Sequence, residues 1–299
     1  MIDSNSPTTA DDRKKRKRRM AFVFGLTTAY MLAEATGGFL TGSLALIAAA
    51  GHMLTDAGAL GLALFAMSYA ERPATAEKTF GFYRAEVLAA FSNAALLLLI
   101  SIYILYEAAR RFAHPPEITS TPMLVIAGIG LAVNFIGMRL LASSSDESFN
   151  SKAAYLEVLS DALGSIGVIL AAIIMKTTGW YLADPIFGAA IGLFIIPRTI
   201  KMLKDTAHVL MEGAPSDISP DAVQQEMLKL AGVVKVHDFH LWTLTSGVHS
   251  VTCHVCVEDP KQGIRIMTEL RRMLKDQYGI AHTTIQIEDR ECRYGDLEF

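Results

Sequence analysis

Charge is scarce in this sequence: only 19% of its 299 residues are Asp, Glu, Lys or Arg, where a soluble domain usually carries about a quarter. An ordinary soluble enzyme or a nucleic-acid binder is therefore a poor match. The chain also lacks a glycine-rich phosphate loop and any nucleotide site, which argues against ATP-driven pumping within it. It has no His-Glu-x-x-His motif, the helical spacing an intramembrane zinc protease would need, and no enzymatic activity is expected. Cysteine is rare too. Cys253, Cys256 and Cys292 all fall in the polar C-terminal part; read as cytosolic, that part keeps its thiols reduced, and no disulfide framework is implied. Histidine is missing from the links at residues 70–83 and 142–151, so neither is a metal-gathering loop.

What is abundant is apolar length. Hydrophobic residues make up 52% of the chain, and Val87 to Tyr106 and Ile118 to Met138 contain no charged side chain. Each is long enough for the roughly 20 residues that cross a bilayer. Four further apolar stretches, at residues 20–40, 44–69, 153–175 and 184–203, each carry one to three ionisable groups. This predicts an all-α six-helix transmembrane bundle. The basic run Arg13 to Arg19 stands directly before the first span and holds the N-terminus in the cytosol. Six crossings then return the C-terminus to the same side, the topology of a multi-pass membrane protein. Three sections follow: residues 1–19 as a disordered basic N-terminus, residues 20–207 as the membrane transport domain, and residues 208–299 as a cytosolic domain.

In the last section Ser219 before Pro220 marks a helix start, with Val223, Met227, Leu228 and Leu230 on one face and a stop at Gly232. Strands are predicted at residues 233–244 and 248–257, joined through Thr245-Ser246-Gly247, then a helix at 262–277 and a strand at 282–288. That order gives a two-layer α/β domain with the helices on one face of a three-stranded sheet.

Inside the second span His52 stands four residues before Asp56, and inside the fifth Glu157 stands four before Asp161. Residues four apart share a helical face, so two such helices can offer four ligands to one ion. One imidazole and three carboxylates suit a tetrahedral borderline metal such as zinc, cobalt or cadmium better than calcium. Helix-gluing polar contacts are the plainer alternative. Against it, each charge at mid-bilayer costs about 2.5–3.5 kcal/mol. Glu34, Asn93 and Asn134 lack the paired spacing and read as helix-packing residues. If the four ligands hold metal, loading must release whatever protons the empty site carries.

These segments, together with Ser43 to Leu46, Phe80 to Glu86, Tyr155 to Asp161, Ala183 to Pro185 and His237 to Trp242, resemble the cation diffusion facilitator family, in particular its bacterial Czc-type cobalt-zinc-cadmium branch. The resemblance covers nearly the whole chain. It implies a homodimer of six-span subunits, proton-coupled efflux of divalent metal, and a ferredoxin-like, copper-chaperone-like cytosolic domain that binds further metal. Metal is substrate and regulatory ligand here; no cofactor and no nucleic-acid partner are expected. Many zinc-selective members resemble a His-Asp pair on both helices. The Glu157 found here leaves cobalt and cadmium open beside zinc.

Strand parity narrows the cytosolic ligands. A two-residue turn places His237 opposite His254 or diagonal to it beside Cys256, on one face, and sends His240 to the other. His282, Gln286 and Glu288 share a face, yet His282 and Glu288 lie about 20 Å apart along a regular strand. His237, His254 and Glu288, consistent with the family pattern, form the expected site, with His240 and His282 as secondary candidates and Cys253 and Cys256 as sheet packing. A membrane-bound metal sensor that binds without transporting is the competing reading.

Overall fold

A computed structural model of the chain describes residues 10–54, 57–58, 74–142 and 149–292, with side-chain detail from residue 22 onward except at residues 142, 149–154 and 157. Two compact units result: Met1–Gly61 with Ser92–Met202, and Leu62–Phe91 with Leu203–Phe299.

In the first unit α1 (Ala10–Thr41) and α2 (Leu44–Leu54) meet at a tight turn where Gly42 takes φ 73°, a conformation that costs glycine little. Then come α3 (Arg84–Ala113, in this unit from Ser92), α4 (Ser120–Ala142), α5 (Phe149–Thr178) and α6 (Ala183–Leu210, in this unit as far as Met202). Among the described residues four helices, within α3, α4, α5 and α6, are long and apolar enough to cross a membrane. Leucine, isoleucine and phenylalanine point outward from them, with Leu99, Tyr106, Leu163 and Phe194 all strongly exposed. A soluble protein would bury those side chains; a lipid-facing surface requires them. Expectation and structure differ at the N-terminus. α1 runs back to Ala10 and takes in the basic run, which was expected to be irregular; Lys and Arg are good helix formers and carry the first helix outward. The cytosolic link expected at residues 142–151 and the later part of the 44–69 span lie mostly outside the described residues.

Small residues let these helices approach. Gly137 of α4 faces Val158 of α5 and Val23 of α1, and a Cβ at Gly130 would collide with the Tyr30 hydroxyl of α1. Such close contacts are how helices associate where lipid removes the hydrophobic drive.

Asp184, at the start of α6, lies fully buried against the start of α2. Its carboxylate accepts from the Ser43 hydroxyl at 2.6 Å and from the backbone N–H groups of Leu44 at 2.7 Å and Ala45 at 3.1 Å. Arg111 of α3 stands 3.5 Å away and also pairs with Glu107 at 3.0 Å. The first turn of a helix leaves its N–H groups without intrahelical partners, and a negative group there is favoured by the helix dipole. Asp184 supplies both needs from another helix. Asp184→Ala strands two buried amides at about 1–3 kcal/mol each. The detergent-purified variant should therefore melt well below wild type, with Asp184→Asn in between. Equal melting of the alanine variant would mean the cap contributes nothing.

The second unit carries a sheet in the order β1 (Val233–Thr245), β2 (Val248–Val257), β3 (His282–Glu288). β1 and β2 are antiparallel and β2 and β3 parallel, the latter because α8 (Gly263–Tyr278) makes the crossover. α7 (Pro220–Leu228) begins as expected, with the Ser219 hydroxyl accepting from the Ala222 N–H. It stops four residues short of Gly232, because Lys229 and Leu230 turn out of the helix. Val223, Met227, Ile266, Leu270 and Leu274 from the helices pack onto Val236, Leu241, Val251, Cys253, Val255 and Val257 of one sheet face. The other face carries the polar cluster.

Candidate metal centres

On α5, Glu157 and Asp161 stand one turn apart on a continuous helix, and Asp161 is partly buried. His52, also partly buried, stands near the end of the described part of α2. Asp56 lies outside the described residues, and no side-chain geometry is described for Glu157. Beside this group, Glu34 of α1 is buried and accepts a hydrogen bond from the Tyr30 hydroxyl at 3.0 Å. Its carboxylate is close enough to Asp161 to interact electrostatically. Sequence reading placed Glu34 with the packing residues because no second histidine or carboxylate stands four positions away; its charged neighbour Asp161 lies on another helix, which spacing along one helix cannot reveal. Asn134, by contrast, bridges α4 to α5 through Ser165 at 3.5 Å.

The polar face of the sheet gathers the cytosolic candidates. His237 and His254 are opposite each other in the ladder, their ring centroids 5.2 Å apart. Glu288 reaches both: Oε2 lies 3.1 Å from His237 Nε2 and Oε1 lies 2.9 Å from His254 Nδ1. One ligand atom from each of the three falls within 4.8 Å of the others. Two imidazoles and a carboxylate at that spacing suit zinc or a similar ion, which binds nitrogen at about 2.0–2.1 Å and carboxylate oxygen at about 2.0–2.2 Å. His237 and Glu288 are nearly fully buried, so water competes poorly for either.

Two parts of the sequence reading are corrected by the structure. A bulge interrupts β1 between His237 and His240, where the register shifts by one residue and Asp238 takes φ 47°. The extra residue turns His240 onto the same face as His237, whereas a regular strand would have sent it to the other. Aspartate tolerates the left-handed conformation better than most residues. Its carboxylate then lies 2.9 Å from His240 and 3.7 Å from His254. Asp238 is the residue that sequence reasoning missed, and an Asp flanked by His237 and His240 in a strand was the available signal for a bulge. His282 pairs with Ser250 at the far end of β3 and stacks edge-on with Phe80 at 5.3 Å, away from Glu288.

The second correction concerns cysteine. Cys256 and Cys292 are joined by a disulfide, their Cα atoms 5.8 Å apart, where three free thiols were expected. After β3 the chain turns at Asp289, whose carbonyl accepts from the Cys292 N–H, and this brings Cys292 back over Cys256. Only Cys253 remains free; it sits in the apolar core, where burial pushes its thiol up to about 12. That is the packing role expected of it.

Comparison with known proteins agrees with this layout. The profile described as the cation efflux transmembrane domain matches residues 20–211, and that of the cation efflux protein cytoplasmic domain matches residues 215–290. The metal cation efflux system protein CzcD of Cupriavidus metallidurans is 47% identical over 94% of this chain and 89% of its own. The cadmium, cobalt and zinc/H(+)-K(+) antiporter of Bacillus subtilis is 42% identical over 91% of this chain and 89% of its own. The zinc transporter ZitB of Escherichia coli is 40% identical over 98% and 94% respectively. A solved metal-bound C-terminal domain of the Cupriavidus CzcD matches 24% of this chain and 99% of that domain at 38% identity, with a TM-score of 0.22. With both halves matched in order and identity of 40–47% along most of its length, the chain belongs to the cation efflux family, that of the cation diffusion facilitators.

Proposed function

We propose that this chain exports zinc, with cobalt and cadmium as further substrates, from the cytosol in exchange for protons. It works as a homodimer in the inner (cytoplasmic) membrane with both termini in the cytosol. The observation that carries this reading is a chain with lipid-facing helices that bears His52 and Asp161 on α2 and α5 and whose relatives are named as metal efflux proteins and antiporters. His52, Asp56, Glu157 and Asp161 form the transport site. His237, His254 and Glu288 form a regulatory site in the C-terminal unit, with Asp238 steering the two histidines nearest it. The relatives' names span zinc, cobalt and cadmium, in keeping with the oxygen-rich donor set that Glu157 gives the transport site.

Proteoliposomes containing the pure protein and offered zinc, cobalt, cadmium, nickel and manganese in turn provide the test. Zinc, cobalt and cadmium should move, and manganese, which prefers an all-oxygen octahedral site, should not. No flux of any metal from protein that still binds zinc would replace the transporter with a membrane-bound sensor.

A further inference from the structure

Outside the His237/His254/Glu288 group, one other cluster among the described residues has ligand atoms close enough to hold an ion: His237, Cys256 and Cys292, all within 4.8 Å of one another. Cys256 is fully buried, His237 nearly so, and Cys292 half-buried. The ladder explains the convergence. Cys256 is opposite Glu288 on β3, the chain reverses at Asp289, and Cys292 returns to the same face two residues along β2 from His254. Cys253 points into the core on the opposite face and is no candidate.

We infer that Cys256 and Cys292, once reduced, join His237 in a second, thiolate-containing metal site for zinc or cadmium, and that the disulfide is its closed, metal-free state. In a tetrahedral zinc site with Zn–S about 2.3 Å and Zn–N about 2.0–2.1 Å, ligand atoms stand roughly 3.5–3.8 Å apart. Sulfurs released from their bond need to separate by only that much, within the 4.8 Å that already encloses all three groups. Two thiolates make the site soft, which favours zinc and cadmium over harder ions. Because His237 also belongs to the His254/Glu288 group, filling one site changes the ligands left to the other, and oxidation of the dithiol restores His237 to the harder site. The inference deepens the reading of the C-terminal unit as cytosolic, where thiols are held reduced.

The chemistry balances. A trialkylphosphine and one water convert the disulfide into two thiols and a phosphine oxide. Binding of a divalent ion then releases two protons as two sulfur–metal bonds form. Oxidised glutathione takes the electron pair back and, with two protons from water, leaves as two glutathione thiols while the ion departs.

Cobalt(II) titrated into the full chain in detergent is the probe, after phosphine reduction and anaerobic desalting, because cobalt bound to thiolate gives a sulfur-to-metal charge-transfer band in the near ultraviolet that nitrogen and oxygen ligands do not. Reduced wild type should show the band and lose it on adding zinc, and protein oxidised with glutathione disulfide should lack it. Cys292→Ser should lower it about twofold, and Cys253→Ser should leave it unchanged. Absence of the band from reduced wild type, or its full strength in Cys292→Ser, overturns the site. The band does not depend on flux, so its failure and the failure of the transport reading are seen separately.

Discussion

Replacing Asp161 with alanine should abolish metal flux while the protein still reaches the membrane and keeps its fold. Asp161 sits on the continuous helix α5, partly buried and within electrostatic reach of Glu34. An alanine there fits the helix well, so the backbone survives. What disappears is one charged ligand of the proposed four. Removing a residue that merely supports a metal ligand already lowers affinity or activity about 10–100-fold, so loss of a ligand itself should exceed about 100-fold in flux. Asp56→Ala should behave the same way, for the pair four residues apart on the second helix. The measurement is zinc uptake into proteoliposomes, normalised to protein recovered by size exclusion as a folded species. Wild-type flux from either variant would move the transport site elsewhere in the bundle.

Collapsing the proton gradient should remove uphill metal export altogether. The ligands must be ionised, and His52 neutral, before they can hold an ion. On the proposed mechanism metal and protons therefore compete for the same groups, and the site would return carrying protons once it has released its ion. Each unit of pH difference across the membrane is worth about 1.4 kcal/mol per proton exchanged. An outward-acid gradient of one unit should raise the metal accumulation ratio about tenfold for every proton in the cycle, and a reversed gradient should drive metal the other way. Equal rates under normal, collapsed and reversed gradients would mean facilitated diffusion of the metal alone.

The two halves of the molecule were legible in the sequence to different depths. β1, β2, α8 and β3 fall within about a residue of their expected bounds, because period-two patterning, the Gly247 turn and the Gly279 stop are all local signals. That His237 and His254 share a face followed from the turn, while their direct opposition depends on two register shifts between the turn and His237. His240 did not. Its position depends on a bulge, which a rule of strict alternation has no means to anticipate. The disulfide escaped for a related reason: the return of Cys292 depends on the turn at Asp289, beyond the last strand. In the membrane half, charge-free runs showed where helices lie, and spacing within one helix singled out His52 and Asp161. The neighbours Glu34 and Asp184 act across helices, and the distances that matter for them, 34 to 161 and 43 to 184, are long in sequence and short in space.

The Asp184 clasp also limits how this machine can move. Three hydrogen bonds join the first turn of α2 to the first turn of α6, and α2 then rises about 1.5 Å per residue toward His52. A rod held so firmly at one end carries its far end with it. In the proposed transport cycle, a swing that keeps these three bonds carries the first turns of α2 and α6 together as one lever.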